Sequence, residues 1–260
     1  MSKDLVLLTV EDQIALITLN APEVLNALST EMVRQLSVAV SRAQRDETVR
    51  CLLINAAGRG FCAGANLQAR GQGDEATPPG TALETHYAPL MNKLKNLPFP
   101  VVTAVNGPAA GVGMSLALSG DIVVAADSAY FLQAFAKIGL IPDGGATWYL
   151  PRLIGWGRAM ELSMLAERLP ASEALDWGLI NRVVPEAELQ TEAQAMARRL
   201  ATGPKSLGLI RKAYWASWEN DFNKQMQLEA DLQTEAHASA DNREGVAAFL
   251  EKRAPQFTGR

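Results

Sequence analysis

Two rhythms of apolar residues run along this chain. Leu5 to Val10 and Ile14 to Leu19 are short runs rich in apolar and β-branched residues on either side of a Glu-Asp-Gln turn, and they predict an opening hairpin. From Ser29 or Thr30 as a cap, Met32, Leu36, Val40 and Ala43 recur at helical spacing, with Arg34, Arg42 and Arg45 on other faces. This helix leads into Cys51 to Asn55 (CLLIN), a short buried strand. A polar, glycine-rich loop at Gly71 to Gly80 precedes a helix over about Leu83 to Leu97, a strand at Val101 to Val105 (VVTAV) and another at Asp121 to Ala126 (DIVVAA). Strands alternating with helices predict an α/β fold with a largely parallel core. Beyond about Pro185 the strand signals stop. Helical spacing continues over Glu186 to Leu200, Lys205 to Trp218 and Phe222 to Ala238, with a last helix near Glu244 to Lys252. No low-complexity segment and no clear period of repetition interrupts this order.

Composition narrows the function classes. The 260 residues, 48% apolar and 20% charged, suffice for a full core in one large or two small domains. A net charge of -4, with Lys and Arg scattered, gives no basic stripe for nucleic acid or an anionic membrane surface. Cys51 and Cys62 are not spaced as a metal pair and are too few for a disulfide framework, which fits a reducing compartment. The apolar run in MSKDLVLLTVEDQIALITLN is broken by Glu11 and Asp12, unlike a signal peptide, and no segment reaches the roughly 20 apolar residues of a membrane span. The cytoplasm is the expected compartment.

The candidate chemistry begins with AAGVGMSLALSGD (Ala109 to Asp121), which follows the VVTAV run and an Asn-Gly-Pro turn. Small, glycine-spaced residues between a strand and a helix bring backbone N–H groups close to a bound oxygen. A dinucleotide loop would want G-x-G-x-x-G after the first strand, whereas Gly111-Val112-Gly113 is followed next by Gly120; a P-loop is excluded because no Gly-Lys-Ser/Thr follows. Close helix-to-sheet packing and an oxyanion site at the Val112 N–H both remain, and the spacing does not choose between them. A second segment, GRGFCAGANL (Gly58 to Leu67), follows CLLIN as AAGVGMS follows VVTAV. The chain thus twice offers a strand, a small-residue turn and exposed N–H groups, and two such donors can share one oxygen.

Together, GFCAGANL and NGPAAGVGMSLALSGDIVVAADSAYF resemble the enoyl-CoA hydratase/isomerase, or crotonase, superfamily. The resemblance runs from ITLNAPEVLNALS (Ile17 to Ser29) through GLIPDGGATWYLPRLIG (Gly139 to Gly155) and LDWGLINRVVP (Leu175 to Pro185) to REGVAAFLEKRAPQF (Arg243 to Phe257). It implies a spiral α/β core of repeated ββα units over residues 1–195, binding an acyl-CoA, and a helical C-terminal oligomerisation domain over 196–260. It also implies a homotrimer or a dimer of trimers, with no bound cofactor or metal and coenzyme A entering as part of the substrate. The N–H groups of Ala65 and Val112 correspond to the pair that holds the thioester oxygen; the family usually has Gly where Val112 stands. The resemblance further implies substrate contacts at Glu23, Val24, Ala27, Ala63, Asn66, Leu67, Ser115 and Phe135, with Phe249 and Lys252 meeting the CoA of a neighbouring subunit.

Hydratases of the family carry two glutamates that activate a water, at positions held here by Ser115 and Phe135. Neither can do carboxylate chemistry. The nearest carboxylate is Asp143, where several isomerases place a single catalytic aspartate. Taken alone, Pro-Asp-Gly-Gly is a common turn and Asp a common helix cap. A lone carboxylate suits a proton shuttle between carbons better than the addition of water. Phe135, Ile138, Leu140 and Trp148 are near enough in sequence to dry such a site. Within the superfamily, GRGFCAG, AAGVG, GLIPDGG and KRAPQFTG are most similar to the isomerases of phenylacetate degradation, which implies opening of a ring epoxide or movement of a double bond. Two other readings stand beside an isomerase: a hydratase or related lyase orienting water with Asp143 alone, and a non-catalytic CoA-binding subunit. His86 and Tyr87 fall in the helix that borders the acyl pocket in this family, yet a lone His is more often simply solvated. Met32, Met91, Met160 and Met164 are expected on core faces, and Trp215 and Trp218, three apart, in a core or subunit contact.

Overall fold

The structure, a computed structural model, describes residues 4–67 and 78–260; most of the expected Gly71 to Gly80 loop lies outside them. The hairpin pairs β1 (Val6–Glu11) with β2 (Ile14–Leu19), Glu11 facing Ile14 and Val6 facing Leu19. Asp12 and Gln13 take φ of 50° and 66°, the left-handed two-residue turn whose twist matches that of the strands it joins. Along β2, Ala15, Ile17 and Leu19 turn inward in strict alternation. Ser29 then caps α1 (Thr30–Arg45), its hydroxyl accepting from the Met32 N–H at 3.2 Å, and the face from Met32 to Ala43 is buried.

The next strands, β3 (Cys51–Ala56), β4 (Val101–Val105) and β6 (Ile122–Ala126), are almost wholly apolar and buried, as parallel strands covered on both faces must be. With β9 (Arg182–Val184) they give the sheet order β1-β2-β3-β4-β6-β9, parallel from β2 onward. A second layer holds β5 (Ala109–Ala110), β7 (Tyr130–Leu132) and β8 (Arg168–Pro170), and is extended by bridges between Cys62 and Ala109 and between Leu28 and Ala65. Each turn of the chain therefore lays one strand in the first sheet and a short extended piece in the second before a helix returns it. That is the expected ββα spiral. Its strands in the second layer are three residues or shorter, too short to show as an apolar run in the sequence.

Helix α2 (Pro79–Ala82) runs through a π-helical turn, Leu83–Tyr87, into α3 (Ala88–Lys95), so the expected helix is present but begins earlier and is not regular. Helix α4 (Val112–Ala117) is short and fully buried, α5 (Ala146–Leu165) is broken at Gly155, and α6 (Ala171–Asp176) precedes β9. Met32 is in the core and Met91 packs against it, but Met164 is 66% exposed, contrary to the core position expected of it.

Helix α7 (Leu189–Ala201) packs on β3, β4 and β6 through Ala193, Met196 and Ala197, and so runs across the expected boundary at 195/196 as one element of the sheet's cover. Helices α8 (Ser206–Ser217), α9 (Phe222–Ala238) and α10 (Ala240–Glu251) follow. Arg211 pins α8 to the core: its guanidinium meets Asp121 at 2.7 Å and also donates to the carbonyls of Leu94 and Leu97. Trp215 stacks on Trp148 with ring centroids 5.6 Å apart, and Trp218 meets Trp148 edge-on. The C-terminal strand of chain is held by Asp241, whose buried carboxylate accepts from the N–H groups of Lys205, Thr258 and Gly259.

Candidate active site

Two turns that follow β3 and β4 come together at the heart of the spiral. The Cys62 N–H donates to the Pro108 carbonyl at 3.0 Å and the Ala110 N–H returns to the Cys62 carbonyl at 2.9 Å, which aligns the two segments side by side. Gly64, at φ +98°, then crosses Gly111, at φ +53°. A Cβ on Gly64 would lie 2.9 Å from the Ala110 carbonyl oxygen and 3.8 Å from Gly111 Cα. No side chain fits there, so the residues that follow each glycine, Ala65 and Val112, are brought to adjoining places.

The donors of those residues are directed by the pairing around them. Leu28 donates to the Gly64 carbonyl at 2.7 Å and accepts from the Asn66 N–H at 2.9 Å. In a parallel bridge of this kind, the N–H of the residue between, Ala65, faces away from its partner. Val112 is the first residue of α4, where the geometry of a helix leaves N–H groups without intrahelical acceptors. Among the described residues, no backbone hydrogen bond uses the N–H of Ala65 or of Val112. Both residues line one cleft.

Asp143 reaches that cleft from a third direction. Gly144 and Gly145, at φ +61° and +91°, turn the chain into α5, and Gly145 rather than Asp143 occupies the cap position. A Cβ on Gly144 would stand 2.8 Å from Val112 Cγ2 and 3.1 Å from Ser115 Cβ, so this turn sits directly against the first turn of α4. The Asp143 carbonyl accepts from Ser115 Oγ at 2.9 Å and from the Ala146 N–H at 3.1 Å, and its carboxylate Oδ1 is buried.

Of the donor, aspartate and substrate-contact residues expected from the sequence, the cleft gathers seven: Ala63, Ala65, Asn66, Leu67, Val112, Phe135 and Asp143. Phe135 lies over Gly111, with Cζ 3.6 Å from where a Cβ would be. Ser115 is fully buried beneath the cleft and spends its hydroxyl on the Asp143 backbone. Glu23, Val24 and Ala27 belong to the loop before α1, outside the lining; Asn26 holds that loop by donating to the Ala57 and Gly60 carbonyls. Phe249, 82% exposed, and Lys252 lie at the end of α10 and do not line the cleft of their own chain. Trp148 belongs to the aromatic cluster on α8 instead of the lining, while Ile138 and Leu140 do line it.

Sequence reasoning passed over Leu28, Thr30, Ala82 and Leu83, and gave His86 and Tyr87 little weight, yet all six are cleft walls. For Ala82, Leu83, His86 and Tyr87 the signal lay in the register of the 79–95 helix, which a π turn shifts, whereas Leu28 and Thr30 reach the cleft through the bridge to Ala65 and the start of α1. Beneath the first turn, burial pushes the Cys62 thiol up to about 12, so it stays protonated and inert. Among the described residues there is no group of three or more His, Cys, Asp or Glu that could hold a metal ion.

The family model for enoyl-CoA hydratase/isomerase matches residues 9–260, nearly the whole chain. The chain belongs to the enoyl-CoA hydratase/isomerase family. It is 49% identical to the 1,2-epoxyphenylacetyl-CoA isomerase of Escherichia coli (strain K12) over 260 residues, 99% of each chain, in line with the isomerase resemblance of its motifs. It is 45% identical, over 96% of each chain, to a protein of Rhodobacter capsulatus described as "Probable enoyl-CoA hydratase". The crystal structure of an enoyl-CoA hydratase from Polaromonas sp. JS666 superposes with a TM-score of 0.89 at 35% identity, over 97% of this chain and 99% of that one. These likenesses establish a crotonase-type fold and a family enzyme. Among the described residues, no helix is long and apolar enough to cross a membrane.

Proposed function

We propose that this member of the family is an acyl-CoA isomerase that moves a proton between carbons with Asp143 while Ala65 and Val112 hold the thioester oxygen. The observation that carries the reading is the Asp143 carboxylate, among the described residues the one that lines the cleft, on the turn packed against Val112; by the family resemblance the two hydratase glutamate positions are held by a buried Ser115 and by Phe135.

In the proposed step the thioester carbonyl accepts from both N–H groups. Asp143 takes a proton from a carbon conjugated with that carbonyl; the C–H electron pair moves into the π system, and the negative charge settles on the oxygen as an enolate. Fixed backbone donors stabilise that charge without reorganising. The proton then returns from Asp143 to another carbon of the conjugated system as the carbonyl re-forms, so aspartate and donors end as they began. Phe135, Ile138 and Leu140 give the cleft apolar wall, which offers no hydrogen bond to water that would compete for the intermediate. The isomerase relative makes an oxygen-bearing aryl-acetyl thioester, its epoxide included, a substrate to try first.

Two coarser points belong to the same reading. Within the expected 196–260 segment, the helices beyond α7 act chiefly in oligomerisation, giving a homotrimer or a dimer of trimers in which Phe249 and Lys252 meet the CoA of a neighbour, and the protein works in the cytoplasm. No nucleic acid or membrane partner is called for. A second reading, hydration with Asp143 alone, draws on the hydratase names among the relatives. A spectrophotometric screen of an acyl-CoA panel separates the readings. Double-bond migration without gain of water supports the isomerase, hydration of crotonyl-CoA supports the hydratase, and tight CoA binding without turnover supports an idle subunit.

A further inference from the structure

His86 enters the cleft from a helix with an uncommon geometry. Pro89 has no N–H, and in a regular α turn its ring would clash with the carbonyl of Thr85, four residues earlier. The chain avoids this by widening: Leu83–Tyr87 is π-helical, closed by the Ala88 N–H donating to the Leu83 carbonyl. Such single-turn expansions are rare and recur at functional sites. Here the wide turn sets His86 and Tyr87 together on the cleft wall, while Leu90 and Leu94 of α3 go on into the core.

The neighbouring threonine decides which ring nitrogen of His86 carries the proton. The Thr85 hydroxyl has one hydrogen, and it donates to the Thr81 carbonyl at 2.7 Å. Its oxygen lies 2.6 Å from His86 Nδ1, so Nδ1–H is the donor of that pair. A neutral His86 therefore keeps its lone pair on Nε2, and among the described residues no hydrogen bond is made to that atom. The cleft that His86 lines has Leu83, Phe135, Ile138 and Leu140 among its walls. An acyl chain of pure hydrocarbon would strip water from Nε2 and return nothing, which weakens binding; a site built around a hydrogen-bonding atom discriminates against ligands that cannot use it.

We propose that His86 is a specificity-determining residue of this cleft, its Nε2 accepting a hydrogen bond from a hydroxyl group on the acyl moiety, so that hydroxyl-bearing acyl thioesters are preferred over hydrocarbon ones of the same shape. This rests on reading the cleft as the acyl-CoA site. It concerns recognition and asks nothing of Asp143.

The test is a binding measurement on the full-length protein with phenylacetyl-CoA and its three ring-hydroxylated counterparts, by titration calorimetry. At least one hydroxylated thioester is expected to bind about tenfold more tightly than phenylacetyl-CoA, as one hydrogen bond of about 1.4 kcal/mol gives. His86→Phe should bring that ratio to within about twofold, and His86→Gln, whose amide oxygen also accepts, should keep part of it. His86→Ala replaces the Phe variant if a thermal melt shows the latter unfolded. Equal binding of all four thioesters by the wild type, or a preference that survives His86→Phe, overturns the role of His86 while leaving the acyl cleft intact. Failure of all four to bind overturns the acyl-CoA reading of the cleft and the proposal with it.

Discussion

Ser115 Oγ donates to the backbone carbonyl of Asp143 at 2.9 Å. Ser115 thereby supports the turn that carries Asp143. Ser115→Ala removes one buried hydrogen bond, although the Asp143 carbonyl keeps the Ala146 N–H. We expect a loss of about 1 kcal/mol in stability and less than a tenfold fall in kcat/KM for double-bond migration, checked by denaturant titration and steady-state assay. A loss as large as that from changing Asp143 would give Ser115 a direct chemical role instead.

Gly64 tests the donor pair. Its φ of +98° and the 2.9 Å approach to the Ala110 carbonyl leave no room for a methyl group. Gly64→Ala should shift the Ala65 N–H away from Val112 and lower kcat by the roughly 10²–10³-fold expected when one oxyanion donor is lost, with CoA affinity much less affected. A folded variant with wild-type kcat would show that the Ala65 donor is not used.

These two expectations mark where the sequence was informative. The hairpin, α1 and the central strands were legible because each has its own pattern: β2 alternates, α1 repeats at helical spacing, and β3 and β4 are apolar apart from Asn55 and Thr103. The second layer was hidden, since a two-residue strand such as Ala109–Ala110 is defined by its partners and carries no pattern of its own. Asp143, Ala65 and Val112 could be named from motifs, but their closeness depends on Gly64 crossing Gly111, a contact between turns 47 residues apart in the chain. The walls supplied by Ala82, Leu83, His86 and Tyr87 were undervalued because the segment reads as one regular helix from about Leu83, whereas the chain is helical from Pro79 and π-helical over Leu83–Tyr87, which changes the face these residues present.

Acid should loosen the C-terminus first. Burial raises the pKa of Asp241, but the hydrogen bonds it accepts from Thr258, Lys205 and Gly259 outweigh that and hold its carboxyl below the ordinary range. A group whose pKa is lower in the folded state stabilises the fold fully above its unfolded value, near 3.9, and loses that contribution as pH falls through the folded value. Proteolysis of residues 252–260 should therefore accelerate below about pH 4 in the wild type. Asp241→Asn should show the same exposure already at pH 7. An Asn variant as protected as the wild type at neutral pH would assign the tail's order to other contacts.

Assembly is open to a simple measurement. Trp156, Tyr214, Phe222, Phe249 and Leu250 are between 72% and 82% exposed on the single chain, and contact with a neighbouring subunit would remove apolar surface of this kind from water. Light scattering at micromolar concentration should return the mass of a trimer or hexamer of the 28.0 kDa chain. A monomer mass would contradict the proposed assembly and any role for Phe249 and Lys252 at a neighbour's CoA.

The central claim is that Asp143 carries the proton. Asp143→Asn keeps the size and turn-forming capacity of the side chain but cannot take a proton, so thermal stability and CoA affinity should persist. The decisive measurement is kcat/KM for double-bond migration by the purified, folded Asp143→Asn protein beside the wild type. The account predicts a fall of at least about 10²-fold, as for loss of a general base; turnover near the wild-type value would contradict it.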